Sequence, residues 1–347
     1  MVDQTEEVSG PTMKVDSNNI RTFHPAKIFN DSTMPIIGMD FHMNGKVLVV
    51  SSLDDSLNLY NCETGTKNRS INSKKYGVGK VRFDRDDNAV LHTSTKVDNT
   101  VRYLSLTENK YVRYFLGHTK TVISLQVSAL CNVFASASKD KTARIWDLRL
   151  NNCQGLVHFS NESVVGFDPE GLIFAAACAA EESVKLFDLR NFDKGPFADL
   201  EIKNPVPGST WHDIKFSNDG TNIMVNSNST YALCFESLET GPVQRLNVEN
   251  PTNAQIGGTF TPCGKYAFVG NDGKTLPVFE IDKAQLAMGE AGVASSFETP
   301  AYAQLPTPNH QNAIMNIVFN PKYMHVAVAS QTLEFWIPDI PESATPR

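Results

Sequence analysis

The chain has little with which to build a metal centre, a membrane span or a secretory leader. Its 347 residues include six cysteines, at positions 62, 131, 153, 178, 234 and 263, and none stands in a C-x-x-C pair. Paired-thiolate zinc spacings are therefore missing, and six reduced thiols in a cytosolic or nuclear protein are expected. On that reading the sequons Asn68-Arg69-Ser70 and Asn228-Ser229-Thr230 are chance matches. Long apolar runs are also missing. The longest, Leu172 to Ala180, is about half of what a bilayer span needs. Met1 to Gly10 is acidic and polar, with no basic start and no apolar stretch, so no leader is expected. An excess of basic charge is lacking too. The net charge is −7, which argues against generic binding to nucleic acid or an anionic membrane, though not against a local basic patch. What remains is ordinary globular composition, 41% hydrophobic and 20% charged.

Catalytic motifs are as scarce. Gly270-Asn271-Asp272-Gly273-Lys274-Thr275 ends like a phosphate-binding loop, but the first glycine of G-x-x-x-x-G-K-T would fall at Phe268. The residues that follow, Leu276-Pro277-Val278-Phe279, suit a strand rather than a helix, so a hairpin turn is predicted. No H-E-x-x-H and no G-x-S-x-G is present. The pairs Asp54-Asp55, Asp86-Asp87 and Glu181-Glu182 fall where turns are expected, and solvated side chains are the ordinary outcome there. No catalytic, cofactor-binding or metal-binding residue is assigned, and no cofactor is expected.

What the chain does have is repetition. Seven times, a Phe-x-x-x-Gly-like turn follows an apolar strand, and roughly twenty residues later a second strand ends in a large apolar residue. The turn positions are Phe41, Phe83, Val127, Phe167, Phe216, Phe260 and Phe319. The strand ends are Tyr60, Leu104, Trp146, Phe187, Phe235, Phe279 and Trp336. Successive members lie about 40 to 59 residues apart, a strand-built period that marks propeller blades rather than a helical solenoid. The expected fold is all-β: one seven-bladed β-propeller over residues 21–340. Residues 1–20 are expected as a disordered acidic tail and 341–347 as a second tail. Residues 284–312 read as a long loop between blades six and seven, or as carrying a short helix at Lys283 to Met288. Too little chain follows Trp336 to complete blade seven. Thr22 to Phe29 is predicted to supply its outer strand, where Pro25 is tolerable at an edge.

Blade three is the clearest copy. Gly117-His118 opens it, Val133-Phe134-Ala135-Ser136-Ala137-Ser138 is a small-residue strand, Lys139-Asp140-Lys141-Thr142 a tight turn, and Ala143-Arg144-Ile145-Trp146-Asp147 the next strand. This stretch closely resembles the WD repeat. The resemblance implies that His118, Asp140, Trp146 and a serine, Ser136 or Ser138, form a hydrogen-bonded set within the blade. It makes a hydrolase triad from the same residue types the weaker reading.

Further stretches go beyond a generic WD repeat. They are Ser73-Lys74-Lys75-Tyr76-Gly77-Val78, Asp98-Asn99-Thr100-Val101-Arg102-Tyr103-Leu104-Ser105-Leu106, Asn109-Lys110-Tyr111-Val112-Arg113-Tyr114-Phe115, Asn152-Cys153-Gln154-Gly155-Leu156 and Phe167-Asp168-Pro169-Glu170-Gly171-Leu172-Ile173-Phe174-Ala175. Val184-Lys185-Leu186-Phe187-Asp188-Leu189-Arg190 through Asp193-Lys194-Gly195-Pro196-Phe197 is the longest. Together they resemble the Swd-two/WDR-eighty-two type of WD-repeat protein, strongly over about residues 70–200 and more weakly elsewhere. The resemblance implies a nuclear, noncatalytic subunit of a COMPASS-type complex that methylates lysine four of a histone tail. It also implies a partner in the N-terminal region of the methyltransferase subunit, and roles alongside cleavage, polyadenylation, termination or phosphatase subunits.

Two sets of candidate partner-binding residues stand out. Lys74, Lys75 and Tyr76 combine charge and an aromatic, suiting RNA or an acidic peptide, or else form an ordinary connector whose Tyr packs on a neighbour. Lys194 and Phe197 precede an expected outer strand, where Phe197 is either an exposed anchor or part of the core. Neither membrane nor sequence-specific nucleic acid is an expected partner. The leading function is a scaffold. The alternative is a peptide or modification reader, such as a ubiquitin-ligase receptor, which a ring of arginines around the channel would favour. Arg82, Arg102 and Arg144 are the candidates for such a ring.

Overall fold

A computed structural model of the chain describes residues 14–272, 274–287 and 295–339. Seven sheets, antiparallel except for one added edge strand, follow one another along the chain. Blade one runs Ile36–Phe41, Val47–Ser52, Ser56–Asn61 and Thr66–Asn72, and blades two to six repeat that order from axis to rim. Blade three, for example, uses Val122–Val127, Val133–Ser138, Thr142–Asp147 and Cys153–His158.

Each sheet is apolar on both faces because each is packed between two others. The core is accordingly divided into seven clusters, one for each junction of neighbouring blades. One cluster joins the ends of the ring, placing Phe29, Ile36, Met39 and Phe41 against Ala327, Ala329 and Phe335. The repeating strand-end residues serve this core: Tyr60, Leu104, Trp146, Phe187, Phe235, Phe279 and Trp336 are all buried. Crowding near the axis explains a glycine in an inner strand. A Cβ on Gly38 would lie 3.0 Å from the Val81 backbone nitrogen of the next blade.

Blade seven closes as the sequence predicts. Its own strands are Asn316–Phe319, Val326–Ala329 and Leu333–Ile337, and His24–Phe29 pairs antiparallel with the last of them. Pro25 sits beside a register shift on this outermost strand, where a missing N–H costs no ladder bond.

Two boundaries differ from expectation. The end of the expected 1–20 tail, Asn19 and Ile20, is ordered instead. Residues 1–13 lie outside the described residues, but Asn19–Arg21 forms a 3-10 turn with Ile20 buried. Phe23 then packs edge-on against Phe268 and Phe319 at 5.5 and 6.1 Å. Burying these two side chains removes apolar area from water, which a polar-looking segment conceals in sequence.

The 284–312 segment is not a loop between blades six and seven. It is inserted within blade six. Lys283–Ala287 is helical, Ser296–Thr299 adds in parallel to Val243–Asn247 as a fifth strand of blade five, and Ala303–Pro306 completes blade six. Weak strand propensity hid these elements, because edge pairing asks little of side chains. The proposed second tail, 341–347, lies outside the described residues, and so does Gly273. The stretch that ends like a phosphate-binding loop joins the paired strands Tyr266–Val269 and Thr275–Glu280, so it is a hairpin.

Candidate partner-binding surfaces

The rigid frame comes first, because it holds the surfaces in place. In blade three His118 Nδ1 lies 2.9 Å from Asp140 Oδ2 and its Nε2 lies 2.8 Å from Ser136 Oγ. Trp146 Nε1–H donates to the same Ser136 oxygen at 2.8 Å. Ser138 is engaged elsewhere, donating to the Lys120 carbonyl. Burial pushes His118 below the ordinary histidine value, ahead of the upward pull of Asp140. The ring is therefore neutral at pH 7 and donates to an ionised carboxylate. Burial raises Asp140, but donors from Thr142, the Thr119 backbone and His118 outweigh it and bring the carboxyl down to about 2. Gly117 lets this happen, since a Cβ there would meet Trp146 at 3.1 Å.

A polar turn side chain also ties five of the blades to the loop before them, a carboxylate in four. Asp140 accepts from the Thr119 N–H at 3.0 Å, Asp54 from Thr33 at 3.0 Å and Asp272 from Thr252 at 3.2 Å. Blades four and five use Glu181 with Ser160, at 2.6 Å, and Asn228 with Thr210, at 2.8 Å.

Blade seven holds a variant that the sequence reading missed. Trp336 Nε1–H donates to Glu334 Oε2 at 2.7 Å, His310 Nδ1 meets Ser330 Oγ at 2.7 Å, and His310 Nε2 is 3.2 Å from Glu334. Burial raises Glu334, yet the His310 and Trp336 contacts win and hold it below the usual carboxylate range. Here the carboxylate comes from the strand rather than the turn. A Glu two residues before a strand-end Trp was the available signal.

Replacing Trp146 by Ala is expected to destabilise the protein by about 3–5 kcal/mol, the cost of emptying a buried indole site, with Ser136 losing a donor as well. Urea unfolding of Trp146→Ala checks this; a loss under about 1 kcal/mol would place the ring outside the core.

Around the axis, polar side chains stitch neighbouring blades. Arg82 donates to the Met39 carbonyl and to Gln126, both at 3.0 Å, Asp40 accepts from the Phe83 N–H at 2.8 Å, and Asn316 donates to the Ile36 carbonyl at 2.8 Å. Arg82 is on the innermost strand of its blade, whereas Arg102 and Arg144 are on third strands. The three arginines do not form a channel ring. Among the described residues no group of three His, Cys, Asp or Glu could hold a metal ion, and no helix is long and apolar enough to cross a membrane.

The two candidate sets lie on different blades. Lys74, Lys75 and Tyr76 form the connector from blade one to blade two, with both lysines exposed and Tyr76 half-buried. The Arg102 guanidinium covers the Tyr76 ring at 3.8 Å, and Tyr76 meets Tyr111 edge-on at 5.7 Å. Arg102 is itself held by Asp98 at 2.7 Å. Lys194 and Phe197 flank blade four. Phe197 is 53% exposed, so it lies outside the core, although its backbone N–H still donates to the Leu186 carbonyl. It borders a groove of about 490 Å³ with Ile173, Arg190 and Pro196. A second groove of about 760 Å³ runs past Leu156, Phe187 and Phe192 on the other side of the same loop. It exists because the outer strand of blade four, Ala198–Glu201, is only four residues long and the 3-10 segment Leu189–Lys194 stands in for its start. Sequence periodicity alone carried no sign of it.

Comparison with known proteins now bears on this architecture. The WD domain, G-beta repeat model matches residues 109–147, the stretch that carries most of blade three. WD repeat-containing protein 82 of Drosophila melanogaster is 40% identical over 94% of this chain and 98% of its own length. Set1 complex component swd2 of Schizosaccharomyces pombe is 30% identical over 94% of the chain and 99% of its own. COMPASS component SWD2 of Saccharomyces cerevisiae is 28% identical with the same coverage. Similarity of that extent covers nearly the whole chain, which therefore belongs to the family of WD-repeat propellers that comprises WD repeat-containing protein 82 and Swd2.

Proposed function

We propose that the protein is a noncatalytic scaffold subunit of a nuclear chromatin complex of the Set1/COMPASS type, supporting methylation of histone lysine four. The observation that carries the reading is its full-length similarity to proteins named as Set1 complex and COMPASS components. A ring cross-tied between blades suits the role, since rigid edges and grooves bind extended segments at little ordering cost. The N-terminal region of the methyltransferase subunit and other COMPASS-type subunits are its partners. Subunits of cleavage, polyadenylation, termination or phosphatase assemblies are further partners on the same reading. Lys74, Lys75 and Tyr76 form one contact surface and Lys194 and Phe197 another.

The test is co-expression with the N-terminal region of a Set1-type methyltransferase, followed by tagged purification. Recovery of a stoichiometric complex is expected; a chain that purifies alone under these conditions would refute the assignment. Phe197→Ala is expected to lower recovery of a partner at least several-fold while shifting the melting midpoint by less than about 2 °C, as surface substitutions do. A large fall in melting temperature would mean that the ring supports the fold instead.

A further inference from the structure

We propose that the outer edge of blade two docks an acidic, extended segment of a partner protein by strand addition. The proposal rests on the scaffold reading and gives it a place and a chemistry.

Lys110–Phe115 is the last strand of its sheet, and among the described residues no strand pairs beyond it. Three apolar side chains on this edge stay in water: Val112 is 54% exposed, Tyr114 43% and Leu116 69%. A hydrophobic edge with free backbone groups is a template for another strand unless something covers it. Most other edges are blunted, and that of blade three, Cys153–His158, exposes a single large apolar side chain, Leu156. His24–Phe29 carries Pro25 and Ala303–Pro306 ends in proline. Thr66–Asn72 is mostly polar, and blade four offers four residues. Blade five is already covered by Ser296–Thr299 of this same chain, which shows the mode of addition at work in this ring.

Charge selects the occupant. Lys110 and Arg113 lie on this strand and Lys74 and Lys75 on the connector whose Tyr76 packs against Tyr111; Arg113 donates to the Arg149 carbonyl, and none of the four forms an ion pair among the described residues. The nearby carboxylates Asp55, Asp98 and Asp147 are taken by Lys96, Arg102 and Arg149, and Asp84 accepts from the Tyr103 hydroxyl, leaving Glu108 and Asp86 in the turns at one end of the strand. A chain of net charge −7 thus carries a group of unpaired basic side chains beside the edge that, among the described residues, exposes the most large apolar side chains. An acidic strand with alternating apolar residues matches both features. Single-stranded RNA matches less well. Arg102 already covers the face of Tyr76, and Tyr111 packs against Tyr76 and Tyr114 at 5.7 and 6.0 Å, so open faces for base stacking are few.

The test uses the full chain and three fluorescein-labelled probes. One is a short peptide alternating glutamate and valine, one alternates lysine and valine, and one is a uridine-rich single-stranded RNA. Saturable anisotropy change is expected with the acidic peptide alone. Both V112E/L116E and K74E/K75E/K110E are expected to raise its Kd at least tenfold, about 1.4 kcal/mol. Their melting midpoints, which report folding, should stay near wild type because every changed side chain is exposed. Hydrogen exchange should show new protection at the amides of Lys110–Phe115. No saturable binding of the acidic peptide, stronger binding of the RNA, or protection confined to another blade would each overturn the proposal. If both variants still co-purify with the methyltransferase region, the edge assignment falls and the scaffold reading stands. If wild-type protein binds the acidic peptide but not that region, the reverse holds.

Discussion

Removal of residues 1–30 is expected to abolish the single cooperative unfolding transition of this protein. The segment supplies the outer strand of blade seven through the pairs His24 with Ile337 and Phe29 with Leu333. It also buries Ile20, Phe23 and Phe29. Full burial of such side chains contributes about 1.5–3 kcal/mol each, so the three together supply roughly 5–9 kcal/mol before any backbone bond is counted. That is comparable with the whole stability of an ordinary domain, about 5–15 kcal/mol. The loss is also placed badly. Trp336, whose backbone partner is Pro25, becomes an edge residue, and the junction of blades seven and one loses Phe29 from its cluster. Thermal melting of the truncated chain should be broad and early. Truncation of residues 1–13 alone should leave the transition intact, and added peptide 14–30 should restore it in part. A chain missing 1–30 that melts at the wild-type midpoint with wild-type sharpness would show that the ring closes without its borrowed strand.

Mild acid should destabilise the propeller well above the range where carboxylates titrate. Burial drives His92, His212 and His325 down to about 4, and it lowers His118 as well. A histidine whose folded value lies below its unfolded value, about 6.5, is neutral in both states at high pH and costs nothing there. As the pH falls below about 6.5 the unfolded chain takes up the proton first, so stability declines until the folded value is reached. At pH 5 each of the three contributes a loss of about 2 kcal/mol, or on the order of 6 kcal/mol together. Asp140, held at about 2, has the opposite profile. Its contribution is present above the unfolded aspartate value and is lost only as the pH falls from about 4 toward 2. Urea unfolding at pH 7.5 and pH 5.0 separates the two phases. His325 allows a sharper check, since its ring sits 4.4 Å from Phe335 and 5.3 Å from Phe41 and its Nε2 has no hydrogen-bond partner among the described residues. His325→Leu should remove about a third of the acid-induced loss while leaving stability at pH 7.5 within about 1.5 kcal/mol, as apolar swaps of similar size do. Equal stability at the two pH values would contradict the argument.

The sequence by itself determined the ring. Large apolar residues recurring at a strand-built interval have to be buried on both faces, and only a closed set of sheets does that for all seven copies. The same logic placed Thr22 to Phe29 on blade seven, because it is a strand-like stretch with no blade of its own. The hydrogen-bonding residues of blade three were legible where they keep the repeat's spacing; Glu334 and His310 do a similar job from other positions and were not. Only the tertiary structure decided which surfaces are free. Phe197 and Leu200 belong to the same short stretch, yet one is exposed and the other buried, since that depends on where a neighbouring blade stops. Tyr76 gains its meaning from Arg102 and Tyr111, which lie well beyond it in the chain and meet it only because the outer strands of blade two fold back beside the connector that enters the blade. Local pattern fixes which residues leave water, whereas contact between distant segments fixes which groups are left over to meet another molecule.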